Sequence, residues 1–464
     1  MYYPEEVIEE VRMRSDIVDV ISGYVKLQKK GSNLFGLCPF HHEKSPSFSV
    51  SPSKQMYHCF GCGVSGNVIT FVMEYENYSF REAVEMLADR SGVKLPKMEY
   101  SKEAKAKADR KAALLEINKL AANYFYYQLK QPQGKIGYDY LVKRKLTDET
   151  IRRFGLGFSN KISDDLYRYL KSKGYEDELL KDTGLVTIEE RGARDKFWNR
   201  VMFPIMDVNS RVIGFGGRVL GDGEPKYLNS PETMLFDKSR NLYGLNYART
   251  SRKKYMMLCE GYMDVISMHQ AGYTNAVASL GTALTEQHAA LLKRYTDQVI
   301  LTYDSDGAGV KAALRAIPIL KRAGISTKVL NMRPYKDPDE FMKNLGAEEF
   351  EKRIETARNS FLYEIDVLKA GFDMEDPEQK TAFYNQTARK LLEFGEALER
   401  DNYIQAVSRE YFINYEDLRR LVNQLGSRYG VGEVGGSVGS TGAVAENRGA
   451  GNAEFPGNAG PAVR

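Results

Sequence analysis

Cys38, His41, Cys59 and Cys62 offer three thiolates and one imidazole in two pairs, each pair spaced by two residues. A tight turn at that spacing presents both members of a pair to one ion, and four such ligands close a tetrahedral zinc site. A closed site leaves no position for a substrate, so a zinc ion here is expected to be structural. His42 and His58 flank the ligands without completing a pair. Three of the four cysteines fall in this stretch, which favours metal ligation in a reducing compartment over a disulfide framework. Cys259 is left over and reads as a buried core thiol. The competing reading is a set of unpaired structural cysteines beside a surface histidine.

A second constellation is acidic. Glu260 closes the apolar run KYMMLCE, Asp304 and Asp306 close QVILTYDSD, and Asp337 and Asp339 follow STKVLNM. These runs alternate with helical stretches, YMDVISMHQAG, EQHAALLKRY and AGVKAALRAIPILKRAG, and a further run, TNAVAS, lies between the first two. Such alternation implies crossover connections and a parallel, twisted sheet. Open sheets of this kind bind ligands beyond the carboxyl ends of their strands, where these acids would gather. Unpaired, they repel one another and call for cations. Oxygen donors without neighbouring His or Cys favour Mg²⁺ or Mn²⁺ over zinc, and Mg²⁺ commonly completes its shell with substrate phosphates. The chemistry indicated is metal-dependent phosphoryl transfer. The competing reading is helix N-capping by Asp304 and Asp306.

Basic residues form the third set. Lys26, Lys29, Lys30, Lys44 and Lys54 surround the Cys/His segment, interleaved with Phe35, Phe40, Phe48, Tyr57 and Phe60. Charges beside exposed rings suit single-stranded nucleic acid, whereas rings packed into the ribbon with merely solvated lysines suit a structural module; both readings stand at this level. The central stretch from 199 to 244 carries Arg218, Lys226 and Lys238, with Lys226 and Asn229 on the loop-like PKYLNSPE. Within it, GFGG reads as a turn in preference to a phosphate cradle, and Trp198 just before that stretch reads as core in preference to a base-stacking platform.

Elements must position these sets. Residues 1–97 read as a small module: a helix from near Pro4, two short strands (SFSV and QMYHC) carrying the Cys/His pairs, and two short amphipathic helices. Residues 98–110 are charged and poor in large apolar groups, a linker passing into a solvated helix. The mixed α/β region divides into a basic part, 111–250, and the alternating part, 251–350; residues 351–425 turn helical, and 426–464 form a Gly-rich tail expected to be disordered. The fold class is multidomain α+β. Apolar residues make up 42% and charged residues 28%, with no apolar run long enough to span a bilayer, and the acidic start MYYPEEVIEEVR lacks the pattern of a secretory signal or transit peptide. The chain is therefore read as cytoplasmic. A net charge of +4 permits a polyanionic partner without demanding one.

Taken together, these segments resemble the bacterial DNA primases of the DnaG type over about residues 1–425. CPFHHEKSPSF and HCFGCG resemble the family's zinc-binding domain; YLVKRKL, RVMFPI, GFGGRVL, PKYLNSPET and LYGL resemble the amino-terminal half of its RNA polymerase domain. EGYMDV, ASLGTALT, DSDGAG and DPDEF resemble its Toprim subdomain, the fold shared with topoisomerases. The resemblance implies a zinc ribbon followed by a mixed α/β polymerase core containing a parallel-sheet Toprim subdomain and a carboxy-terminal helical bundle. It implies synthesis of short RNA primers on single-stranded DNA from ribonucleoside triphosphates, by an enzyme expected to be monomeric. Glu260, Asp304 and Asp306 are implied as catalytic metal ligands, with Asp337 and Asp339 contributing; Arg144, Arg218, Lys226, Asn229 and Lys238 are implied to line the template and nucleotide groove. The alternatives are a Toprim topoisomerase or nuclease, for which no spare domain carries a tyrosine nucleophile, and a non-enzymatic zinc protein binding single-stranded DNA, against which the acidic cluster argues. Two departures stand out. The family's Arg-Gly-Leu is Arg144-Lys145-Leu146 here, which puts a glycine-dependent turn in question. The family's carboxy-terminal domain, which contacts the replicative helicase, is expected to be absent from this chain, making it a shortened form.

Overall fold

The structure is a computed structural model describing residues 3–41, 43, 45–76, 78–95, 102–190 and 192–429. Two compact units result, one ending at Tyr363 and one beginning at Glu364.

The Cys/His segment folds as an antiparallel sheet in the order β1 (Gln28–Lys30), β2 (Asn33–Gly36), β3 (Phe48–Ser51), β4 (Met56–Cys59) and β5 (Ser65–Gly66). Helices Glu5–Arg14, Ile17–Ser22, Val68–Glu76 and Phe80–Ser91 close around it. Their ends follow the sequence: Asp16 caps one helix, a Ser79/Glu82 capping box starts another, and left-handed Gly92 ends it. Phe48, Tyr57 and Phe71 are buried, and Phe40 packs against all three. The ring question thus divides. Phe40, Phe48 and Tyr57 build the module's core, while Phe60 stands 70% exposed.

Helix Lys102–Leu129 follows and packs on a second antiparallel sheet, ordered β11 (Tyr227–Asn229), β10 (Val212–Val219), β9 (Arg200–Met206) and β6 (Gly157–Ser159). A hairpin of β7 (Val186–Glu189) and β8 (Gly192–Asp195) lies between β6 and β9 in sequence. GFGG is not a turn. Residues 214–217 run along β10, where a Cβ on Gly216 would sit 2.5 Å from the Tyr262 ring and one on Gly217 would sit 2.8 Å from Phe197. Glycine is there for close packing. Trp198 is not core either: Phe197 takes the inward position, 1% exposed, and leaves Trp198 56% exposed.

The alternating region forms the expected sheet, in the order β13 (Ala276–Ala278), β12 (Met256–Cys259), β14 (Gln298–Leu301), β15 (Ser326–Val329), all parallel, with antiparallel β16 (Arg358–Asn359) at the edge. Its central strands are buried along almost their whole length because helices cover both faces. Cys259 is buried as expected. In the second unit, helices Pro377–Leu391, Ala397–Tyr411 and Tyr415–Tyr429 pack around Phe383, Leu391, Ile404, Val407, Leu418 and Val422. The last helix continues to Tyr429, past the boundary expected at 425; the rest of the expected tail lies outside the described residues.

Lys145 keeps the turn that glycine would provide. It adopts φ +61° after helix Lys135–Lys143, its N–H bonds Val142 O at 2.8 Å, and Leu146 N–H bonds Leu141 O at 3.1 Å. Gln270 fixes the turn from the parallel-sheet side, donating to Lys145 O at 2.9 Å and accepting from Thr147 N–H at 2.8 Å. A lysine there bears the left-handed cost, about 1–2 kcal/mol, which glycine avoids at an entropic cost of about 0.5–1 kcal/mol. Lys145→Gly should therefore raise stability by about 0.5–1 kcal/mol, read as a higher thermal midpoint; an unchanged or lower midpoint would show that the turn carries no strain.

Candidate active site and metal centres

The two Cys/His pairs converge. The ligand atoms of Cys38, His41, Cys59 and Cys62 all lie within 4.8 Å of one another, the one such group found among the described residues. Cys38 Sγ and Cys62 Sγ are 3.8 Å apart, which matches the edge of a tetrahedron with zinc–sulfur bonds of about 2.3 Å. His41 turns Nδ1 toward Cys59 Sγ at 3.7 Å and Nε2 toward Glu43 at 3.3 Å. Glu43 also accepts from the N–H groups of Cys38 and Ser47. It is the carboxylate that orients a ligating imidazole, a role with no spacing signature of its own. Burial pushes the Cys38 thiol up, so thiolate there requires a cation beside it. Gly61 is needed because a Cβ would stand 2.6 Å from His41 Nε2. The donor set and its spacing fit zinc and form the zinc centre.

The acids sit where the parallel sheet places them. Glu260 follows β12 and accepts from Asp304 N–H at 3.0 Å, so the ends of β12 and β14 are joined through the site itself. Asp306 caps helix Gly307–Arg322 by accepting from Ala308 and Gly309 N–H, both at 3.0 Å, and Asp337 caps helix Pro338–Glu355 through Glu340 N–H at 2.7 Å. Capping is thus real for Asp306 and Asp337. It occupies Oδ1 of each, and Oδ2 of Asp306 instead faces Lys336 at 3.5 Å.

Electrostatics separates these carboxylates. Burial, and then the charge of Asp304, raises Glu260 above the usual range; burial, and then Asp337, raises Asp304. Asp306 is held low by the Gly309 N–H. Asp339 is different again: 2% exposed, it is bound by Arg144 Nη2 at 2.6 Å, Lys343 Nζ at 2.6 Å and the Ser267 hydroxyl. Its charge is already balanced by protein. Asp264, which no strand end singles out, is buried on helix Tyr262–Gln270, accepts from Gly261 N–H at 3.0 Å, and is pushed well up by burial and then by Asp337 and Asp304. The D of EGYMD, four residues beyond Glu260 and one helical turn away, is the available signal.

Lys336 Nζ lies 3.4 Å from Asp304 and 3.5 Å from Asp306, and its carbonyl accepts from Ser305 N–H at 2.7 Å. A lysine is thereby anchored as counter-charge to the D-x-D pair.

The basic residues lead away from the acids. Arg144 bridges from Asp339 toward Tyr140 and Tyr227, and Arg218 stacks over the same two rings at 5.9 and 5.5 Å. Lys226 is exposed at the start of β11, and Lys238 is half-exposed with its carbonyl bound by His288 at 2.8 Å. Asn229 is committed to structure: Nδ2 donates to Leu280 O at 2.9 Å and Oδ1 accepts from the Tyr262 hydroxyl at 2.7 Å, tying β11 to the parallel sheet.

Comparison with known proteins agrees along most of the described chain. Residues 3–103 match the CHC2 zinc finger family, 124–249 the N-terminal domain of the DNA primase catalytic core, 257–342 the Toprim-like family and 363–411 the DnaB-helicase binding domain of primase. The last match corrects the expectation that the helicase-binding part lies wholly beyond the chain; the amphipathic helices there carry a family pattern but no chemical motif to read. The DNA primase of Clostridium acetobutylicum is 43% identical over 422 residues, covering 90% of this chain and 70% of that protein, and the DNA primase of Listeria monocytogenes is 38% identical, covering 91% and 69%. The Aquifex aeolicus primase (zinc binding and RNA polymerase domains) superposes with a TM-score of 0.56 at 36% identity, covering 90% of this chain and 99% of that one. The DnaG primase catalytic domain bound to single-stranded DNA gives 0.57 at 35% identity over 65% of this chain and all (100%) of that one. A zinc ribbon, a basic sheet and an acid-edged Toprim sheet in this order, with these relatives, place the chain in the DnaG-type DNA primase family.

Proposed function

We propose that this DNA primase joins ribonucleoside triphosphates on a single-stranded template at the carboxylate edge, with Glu260, Asp304 and Asp306 holding Mg²⁺ or Mn²⁺. The observation that carries this reading is the bond from Asp304 N–H to Glu260, which brings the two raised carboxylates together at the ends of adjacent strands. An all-oxygen donor set, in which Glu260 and Asp304 have raised proton affinity, fits a hard divalent cation. When bound, such ions lower the barrier to attack by the 3′-hydroxyl on the α-phosphate and stabilise the departing pyrophosphate. The oxygen–phosphorus bond forms as the bond to pyrophosphate breaks, and the hydroxyl proton leaves to water. Asp337 serves as a further ligand through its uncapped oxygen. Asp339, held by Arg144 and Lys343, serves as a positioning residue that aims Arg144, and Asp264 fixes the start of the helix after Glu260 by accepting from Gly261 N–H.

Arg144, Arg218, Lys226 and Lys238 form the groove for template and nucleotide phosphates, with Asn229 holding β11 against the parallel sheet. Single-stranded DNA lies in the corresponding domain of one solved relative, by its description, which supports this path. The zinc module grips template and does no chemistry. Residues 363–411 supply a surface for the replicative helicase, as the matched family's description suggests. Reduced thiolate ligands suit a cytoplasmic enzyme, and we read it as acting as a monomer.

Three outcomes test this. Cys59→Ser should abolish the bound zinc seen by metal analysis and unfold the ribbon, leaving the circular dichroism of the parallel-sheet core intact; undiminished zinc would overturn the assignment. Asp304 has a raised folded-state pKa, so the folded chain holds that proton more tightly than the unfolded chain, and stability without divalent cations falls as pH rises from the usual carboxylate value through the raised one. Asp304→Asn should therefore raise the thermal midpoint at pH 7 without Mg²⁺, lose this advantage near pH 3, and reduce primer synthesis by about 10³, the scale of several kcal/mol of metal stabilisation. Near-normal synthesis would refute the catalytic role. Lys226→Ala and Lys238→Ala should each weaken binding to single-stranded DNA and lower the log–log salt slope by about 0.7 for each phosphate left without its ammonium. Unchanged slopes would leave both lysines as solvated surface.

A further inference from the structure

We propose that Trp198 is a stacking platform for an unpaired template base, at a site distinct from the carboxylate edge and resting on the template-groove reading above. The sheet topology supplies the first observation. β6 and β10 end, and β9 and β11 begin, at one end of the four-stranded sheet: Ser159 pairs with Arg200, Arg200 with Val219, and Arg218 with Tyr227. Trp198 therefore stands between Lys161, just past β6, and Lys226, just before β11. With strands about 4.8 Å apart, β6 and β11 are separated by about 14 Å. That spans roughly four stacked nucleotides at about 3.4 Å each. Lys161 and Lys226 are both exposed, so a large exposed ring lies between two ammonium-bearing side chains, the combination that binds single strands without regard to sequence.

The second observation is that the ring is held outward by its neighbours. Phe197 is buried, and its carbonyl accepts from the Ser159 hydroxyl. Asn199 takes φ +51°, with its N–H bonded to Asn160 O at 2.7 Å and its side chain to Leu220 O at 3.1 Å. A non-glycine residue in the left-handed region costs energy, and here that cost maintains an indole 56% exposed on a fixed backbone. A platform fixed in this way loses little side-chain entropy when a base stacks on it. On the β6 side the surface opens into a cavity of about 580 Å³, whose lining includes Phe158, Asn160, Lys161 and Ile162, giving the strand an indented path.

Trp198 is the one tryptophan in the chain, so its fluorescence reports this site alone. The protein should be titrated at low salt with unlabelled oligothymidylate while following tryptophan emission, and with a fluorescein-labelled copy while following anisotropy. The expected result is quenching that saturates at the same midpoint as the anisotropy. Trp198→Leu should weaken binding by about five- to a hundredfold, the scale of one stacked base, and Trp198→Phe should recover most of it. Binding by anisotropy with no quenching and an unaffected Trp198→Leu variant would overturn the platform and leave the groove reading intact. Absence of binding by anisotropy in the unaltered protein would overturn both.

Discussion

Repulsion among carboxylates at one end of a parallel sheet is the constraint that orders the rest of the core. Glu260, Asp264, Asp304, Asp306, Asp337 and Asp339 meet there because β12, β14 and β15 run the same way and each hands its chain to that end. The fold answers the repulsion one acid at a time. Asp339 is balanced by Arg144 and Lys343, Asp306 and Asp337 accept from helix N-termini, and Asp264 accepts from Gly261 N–H. Of the three proposed catalytic ligands, Asp306 holds two N–H groups, and Glu260 and Asp304 receive less. Their proton affinity is raised, with only a backbone N–H between them and one exposed lysine nearby. The charge left on Glu260 and Asp304 is one that an external divalent cation can balance, and Asp306 keeps its Oδ2 off the helix cap.

The zinc module obeys the same logic with a different outcome. Its ribbon strands are two to four residues long, and its ligand cluster stands at their ends. The converging ligand atoms of the four residues and the Glu43 carboxylate beside His41 suit a cation at the centre of the cluster. There the ion completes a core, whereas at the Toprim edge it would complete a reaction centre. One set of ligands is closed and sulfur-rich, the other open and oxygen-only, and both distinctions are written in residue type.

Legibility follows periodicity and spacing. The four parallel strands, the acids at their ends and the paired zinc ligands are readable because each depends on a short, repeating pattern in one stretch of chain. Failures arise where partners lie far apart in sequence. GFGG looks like a turn because nothing local reveals that Tyr262 and Phe197 press on β10. Trp198 looks like core because its neighbour Phe197 takes that place only once helix Lys102–Leu129 and β10 are assembled. Glu43, Lys336 and Asp264 act through contacts rather than spacing. Asp339, read in sequence with the metal ligands, and Asn229, read with the nucleotide groove, also make structural contacts that no local pattern announces.

Arg144 shows why the basic and acidic faces must be argued together. Its guanidinium joins Asp339 at one end of the site, and its charge reaches Tyr140 and Tyr227, over which Arg218 also stacks. The turn that aims it is fixed by Gln270 from the helix that begins just after Glu260, so a shift of the acidic edge would move the arginine with it. A polymerising site needs this coupling: phosphates drawn in by positive charge must arrive at carboxylates that would otherwise repel them. A positive group rigidly joined to the acids shortens the distance over which that repulsion acts, and it does so without consuming the charge of Glu260 or Asp304. The Lys145 backbone, held left-handed without a glycine, therefore helps set where Arg144 meets Asp339 although its own side chain is exposed.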